Sequence, residues 1–314
     1  MTHEIGDAMR FARGTVLRRW TILAAALLAV ACGAVKERRI VRVPPAYLEA
    51  REATPAQLVS LVNGRYAGIE ALAVPRLEVE FTGGSIEEGY LEKYRKAGGY
   101  LAVRRPDSIF MNVLNPLTKS SVLVLAAHRG EFRVWIPSRN QFVTGSVAVP
   151  PNHENAVYNV RPDHILEGVL IRPIPVDPYH RIAVAEEQDA RFKYYVLEVL
   201  RETVRGGLFL QLERRIWIER SRMELRRQIL YQNGSPVSDV AYGPSILLEE
   251  KAVPLEITVK RPQEGYTVRL SFDEEGIRLN PELEERVFGL EPPPGAEIVH
   301  VEPELDEAEP GPNR

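Results

Sequence analysis

The sequence predicts a mainly β protein: one antiparallel sheet, strongly curled into an incomplete barrel, with two or three helices over its concave face. Three observations predict it. Apolar residues recur at every second position in about ten segments between Thr54 and Val301. Short turn-forming pieces, Gly83-Gly84, Gly98-Gly99, Arg129-Gly130 and Ser138 to Asn140, separate those segments at the spacing of a meander. Two other stretches abandon alternation and repeat their apolar residues at helical spacing.

The first helix follows Thr54-Pro55, an N-cap and a first-turn proline. Leu58, Leu61, Val62, Ile69 and Leu72 then mark a face, which extends the expected helix from Pro55 to Leu72. Strands follow. RLEVEF turns Leu77, Val79 and Phe81 to one side, SIFMNVL turns Ile109, Met111 and Val113, and after SSVLVLAA the stretch EFRVWIP turns Phe132, Val134 and Ile136. Asp163 to Ile171 reads as the second helix, with Asp163 as its cap, and the proline-rich IRPIPVDPY crosses back to the sheet. YYVLEVL, LFLQLERRIWIE, a hairpin closed at Asn233-Gly234, LEITVKR and TVRLSF complete the strands. The arginine-rich LERRIWIERSRMELRRQ reads as a long strand with outward-facing basic residues. About ten strands in one twisted sheet tend to curl. The nine inward residues named, with Leu166 and Leu170 covering them from the second helix, are the expected lining of a hydrophobic cavity.

Cys32 is the chain's single cysteine, which excludes an internal disulfide framework and a multi-thiolate metal site. It follows Arg10, Arg13, Arg18 and Arg19, an apolar run from Thr21 to Val30, and Ala31. That layout is a secretory signal over 1–31; the run is about half the roughly 20 residues of a spanning helix. Residues 32–53, with Pro44-Pro45, read as a tether. The domain proper covers 54–301, and 302–314 reads as a solvated acidic, proline-rich tail, the change of composition starting after Glu291. Cleavage before Cys32 removes four arginines and two acids (Glu4, Asp7), taking the formal charge from −3 to −5. No basic excess marks a nucleic-acid partner.

Ala29-Val30-Ala31-Cys32 resembles the lipobox of bacterial lipoproteins, which implies that the Cys32 thiol and its new amino group carry acyl chains. Gly33 after the cysteine implies outer-membrane sorting, so the expected location is a lipid anchor in that membrane, facing the periplasm. RPDSIFMNVLNPLTKSSVLVL, with its Asn115-Pro116-Leu117 loop between two apolar strands, resembles the outer-membrane lipoprotein receptors of the LolB type. That family shares a half-barrel covered by helices with the LolA carriers. The order of elements agrees, and RLNPELEERVFGLEPPPG is similar to the end of the carriers. The resemblance implies a cavity for acyl chains and, at Leu117, a loop leucine that touches the membrane. The residues alone equally fit a turn leucine folded back on the core. No arginine matches the one with which the carrier holds its lid.

The five histidines beyond the signal are scattered, and no HExxH pair, nucleophile elbow, phosphate loop or dinucleotide fingerprint is present. No catalytic residue, metal site or cofactor is expected, and the protein is read as a non-enzyme. Two functions remain. One is an anchored protein that binds acyl chains of lipoproteins or another amphiphile and helps deliver them to the outer membrane. The other is an envelope scaffold with the same fold, a filled cavity and other envelope proteins as partners.

Overall fold

The structure, a computed structural model, describes residues 49–83, 92–149, 159–204 and 208–301. Residues 1–31, expected to be a signal, Cys32 and the expected tail 302–314 lie outside the described residues. Helix α1 is Pro55–Tyr66; β1 to β6 are Ala71–Gly83, Glu92–Arg104, Ser108–Leu114, Ser121–His128, Glu131–Ile136 and Gln141–Ser146. Helix α2 is Pro162–Val169, followed by β7 His180–Gln188, β8 Lys193–Val204, β9 Leu208–Glu219, β10 Glu224–Gln232 and β11 Ser235–Tyr242. A short hairpin, β12 Ser245–Leu248 with β13 Lys251–Pro254, precedes β14 Glu256–Arg261, β15 Tyr266–Phe272, β16 Arg278–Leu279 and β17 Glu297–Val301.

Apart from the β12–β13 hairpin, the strands form one sheet in the order β17-β6-β5-β4-β3-β2-β1-β15-β14-β11-β10-β9-β8-β7, with β16 pairing to part of β1. Every pairing is antiparallel except β17 on β6. The end strands, β17 and β7, do not pair with each other, so the sheet is open. One face of it is apolar. Leu77 and Val79, Ile109, Met111 and Val113, and Phe132, Val134 and Ile136 join Leu197, Ile216, Ile257 and Leu270 in a single buried cluster. Phe81 is partly buried against it. Leu58, Val62 and Tyr66 of α1 and Ile165, Leu166 and Val169 of α2 fill the concavity.

Two close approaches shape this packing. In α2, a Cβ on Gly168 would stand 2.7 Å from Val259 Cγ2, so the bare glycine lets the helix lie directly on β14. In β2, a Cβ on Gly99 would stand 2.4 Å from the backbone oxygen of Asn112. Gly98-Gly99 is therefore the interior of a strand, not the turn that its composition suggests.

Other expectations need correction. Helix α1 stops at Tyr66, because Ala67 is already extended and Leu72 belongs to β1, paired with Val103 and Leu279. Its cap is as expected: Thr54 Oγ1 accepts from Gln57 N at 3.3 Å and Gln57 Oε1 from Thr54 N at 2.8 Å. Helix α2 starts at Pro162 with Arg161 at the N-cap; Asp163 lies within the first turn and does not cap. The arginine-rich stretch is a hairpin, β9 and β10 turning between Arg220 and Met223. The chain beyond Glu291 is not all tail, because Glu297–Val301 adds to the sheet beside β6.

Candidate functional site

The segment from Gly168 to Ile174 closes over the concave face, and its carbonyls are taken up one after another by side chains from around the sheet. Tyr242 Oη donates to Gly168 O at 3.0 Å and itself accepts from Gln228 Nε2 at 2.7 Å. Arg105, at the β2–β3 turn, donates to Leu170 O at 3.3 Å, to Ile171 O at 2.9 Å and to Ile69 O beyond α1 at 2.9 Å. Arg214 of β9 donates to Arg172 O at 2.6 Å and Pro173 O at 3.0 Å. Asn63 of α1 donates to Ile174 O at 2.9 Å and accepts from Ile174 N at 2.7 Å. A helix end leaves four carbonyls without intrahelical partners. Here Tyr242 serves one of them, Gly168; the sheet and Asn63 of α1 serve the carbonyls just past the helix, and Arg105 joins the segments that follow both helices.

Burial lowers the proton affinity of Arg105, and takes that of Arg214 down to about 10 with help from Arg172; both stay charged at neutral pH. These two arginines were not singled out from sequence. In β9 the pleat puts Arg214 on the same face as Ile216 and Ile218, so it points inward, and Arg220, just past the strand, is buried as well, each 6% exposed. Arg220 lies over the Tyr195 ring, 4.5 Å from its centre, and pairs with Glu186 and Glu52. The last residues of the expected tether are thereby docked, with Ala53 N donating to Tyr195 Oη.

At the other end of α2 a polar group enters the interior. Arg161 stacks on Phe132, 4.2 Å from the ring centre. His164 Nδ1 lies 2.8 Å from the Tyr266 hydroxyl. Burial raises Tyr266 far above the usual phenol range, so its hydroxyl stays protonated beside the imidazole. Burial, then Arg261 and Arg161, hold His164 down to about 2. Burial pushes the neighbouring Asp163 up to about 6.

The expected lining residues Leu77, Val79, Phe81, Ile109, Met111, Val113, Phe132, Val134, Ile136, Leu166 and Leu170 all lie in or against the core beneath this segment. A void beside Tyr66, Leu170 and Phe272, which of the expected lining touches only Leu170, measures about 10 Å³. In this conformation the helices occupy the concavity. Leu117 is 90% exposed on the β3–β4 turn. Asn115 Oδ1 accepts from Leu117 N at 2.9 Å and Thr118 N at 3.1 Å, and Asn115 O accepts from Lys119 N at 2.9 Å. This Asx turn directs the leucine into solvent. Among the described residues no group of three His, Cys, Asp or Glu is placed to hold a metal, and no helix is long and apolar enough to cross a membrane.

No protein-family model matches the chain, and no curated protein matches it. Solved structures do. It is similar to a LolA superfamily protein from Nitrosomonas europaea, with 12% identity and a TM-score of 0.43 over 76% of this chain and 99% of that one. An outer membrane lipoprotein-sorting protein domain from Vibrio parahaemolyticus matches at 12% identity and a TM-score of 0.44, over 74% of this chain and 94% of that one. A DUF1329 family protein from Desulfovibrio piger matches at 12% identity and 0.43, with the same coverage.

Proposed function

We propose that this chain is an anchored lipid-handling protein of the bacterial envelope. It is held by acyl chains on Cys32, in the outer membrane and facing the periplasm. Its cargo is the acyl chains of lipoproteins or another amphiphile, taken into the space that the two helices now occupy. The nine inward strand residues and Leu166 and Leu170 are the proposed lining, and Leu117 the proposed membrane contact. No cofactor, metal or catalytic residue enters this reading.

The observation that carries it is the manner of closure. The segment over the apolar face is held at its carbonyls by a few polar side chains and beneath it by packed apolar side chains. Net hydrogen bonds contribute roughly 1 kcal/mol each, and about 1.5–3 where the donor is charged, as in the four from Arg105 and Arg214, so the set totals on the order of 10 kcal/mol. An acyl chain of about sixteen carbons gains on the order of 10 kcal/mol on leaving water. Entering cargo can therefore offset the carbonyl bonds, provided the helices keep their apolar faces covered against it.

The burial of the inward strand residues in one cluster with the helix faces favours a second reading in which the helices never leave and the protein is a scaffold for other envelope proteins. Lipid carried through purification separates the two. The full chain, extracted from membranes and analysed by mass spectrometry, should retain lipid beyond its own anchor, and Met111→Arg should weaken that retention more than it unfolds the protein as followed by circular dichroism. Absence of bound lipid, together with no saturable uptake of a fluorescent fatty acid, selects the scaffold.

A further inference from the structure

Strand β7 is the last strand of the sheet at one end, and its outer edge is exposed. The parity of its hydrogen bonds follows from two of them: Glu202 N donates to Tyr179 O and Asp189 N to Phe192 O. In the β7–β8 register these bonds fall on odd-numbered residues, so residues 181, 183, 185 and 187 bond inward to β8. The backbone groups of Ile182, Val184, Glu186 and Gln188 point out of the sheet. His180 does not extend this free row, because its N–H is held by Asp177 Oδ1 and its carbonyl by Arg181.

Such an edge is a template for another strand unless something blocks it. Proline and lysine, the usual blocks, are absent from HRIAVAEEQ. Its charges suit one partner in particular. We propose that two copies of this chain pair antiparallel through β7, about a two-fold axis at Val184. That register joins Ile182 to Glu186 of the other copy and Val184 to Val184, using these three residues of the free row from both sides. On the solvent face it sets Arg181 against the other copy's Glu187 twice, and the small Ala183 against Ala185. Opposite charges directly across an antiparallel pair attract; a blocking edge would bring like charges together.

A register one pair further along would set Arg181 against Asp189. That carboxylate is already engaged, one oxygen by the N–H groups of Arg191 and Phe192 and the other by the Tyr194 hydroxyl. Glu187 has one oxygen on Trp217 Nε1 and keeps the other for a partner. Arg181, half exposed and paired with Glu202 in its own chain, would bridge the two carboxylates.

Cysteine pairs read the register directly, since facing residues in a non-hydrogen-bonded pair stand about 4.5 Å apart at Cα, within disulfide range. The full chain is prepared as Ala183→Cys and as Ala185→Cys, oxidised separately and as an equimolar mixture, and the linked peptides are identified by mass spectrometry. A 183–185 link in the mixture, without 183–183 or 185–185 links in the separate samples, is the expected result. In parallel, sedimentation in density-matched detergent should give twice the chain mass for the parent and the single mass for Val184→Pro. An edge proline whose N–H faced outward leaves the chain's own ladder intact. A parent that sediments as a monomer would overturn the proposal, leaving the edge to a different protein's strand. A dimer that survives Val184→Pro, or links in the separate cysteine samples, would overturn it as well.

Discussion

The guanidinium of Arg105 donates to the carbonyl oxygen of Ile171 at 2.9 Å, and its Nε holds Ile69 at the same distance on the far side. Two chain segments that part company at the end of each helix are thus fixed to one side chain on a sheet turn. We predict that Arg105→Met, which keeps length and apolar stem but no donors, lowers the unfolding free energy by about 2–4 kcal/mol in urea, since three carbonyls lose their partner. Amide exchange should quicken from Leu170 to Ile174 more than in β3 or β14. Uniform quickening throughout the core would mean that Arg105 is only one more packing residue.

The two tight glycines should differ in what their substitution does. The neighbour of Gly168 is a side-chain methyl on Val259, whereas that of Gly99 is the Asn112 backbone. Gly168→Ala should therefore be destabilising by about 1–3 kcal/mol, as overpacking is, and Gly99→Ala by more. Adding Val259→Ala should recover part of the Gly168→Ala loss, a coupling that denaturation of the single and double variants measures. Strict additivity would show that α2 does not rest on Val259.

Acid should act in opposite senses on two adjacent residues. Asp163, raised to about 6 by burial, binds its proton more tightly folded than unfolded, so its contribution to stability is full below about pH 4 and lost as pH rises through 6. His164, held down to about 2 by burial and then by Arg261 and Arg161, contributes above 6.5 and loses that contribution as pH falls. Between 6.5 and 4 the two slopes oppose. We predict that His164→Gln gains stability on going from pH 7 to 4.5 relative to the parent, and that Asp163→Asn loses it. The differences should be on the order of 1 kcal/mol, the Asp163 effect being reduced because 31% of its side chain meets water. Denaturant midpoints at the two pH values that shift together in both variants would refute the opposition.

Alternation made the inner faces of β1, β3 and β5 legible, because a strand's side-chain period is independent of what it pairs with. Asn233-Gly234 was equally plain, with both residues at positive φ in the β10–β11 turn. What escaped depended on partners distant in sequence. Seven strands were missed, among them β2, whose two glycines imitate a turn, and β17, whose EIVHV sits in an acidic, proline-rich context. The end of α1 was misjudged because Ile69 and Leu72 fit a helical face and a strand start alike, and the pairing of β1 with β2 decides between them. Arg105 carried no local signal, since a carbonyl clamp is made by tertiary approach. The inward direction of Arg214 could have been read from its parity with Ile216 and Ile218.

The last prediction concerns the exposed end of the Asn115-Pro116-Leu117 turn. Leu117 has 90% of its surface in water, and the Asx bonds beneath it do not involve its side chain. Removing the leucine should therefore leave the fold unchanged, with Leu117→Glu within about 0.5 kcal/mol of the parent, the range of ordinary surface substitutions. A single leucine entering a bilayer contributes only roughly 1.5–3 kcal/mol. That is too weak to anchor a protein, but enough to loosen lipid packing where cargo is handed over. If the proposed function holds, the variant should bind lipid normally and transfer it more slowly to liposomes, followed by loss of fluorescence quenching of a labelled fatty acid. Equal transfer rates at equal loading would reduce the loop to a turn and remove the membrane contact from the proposal, leaving the interior to be judged by its cargo alone.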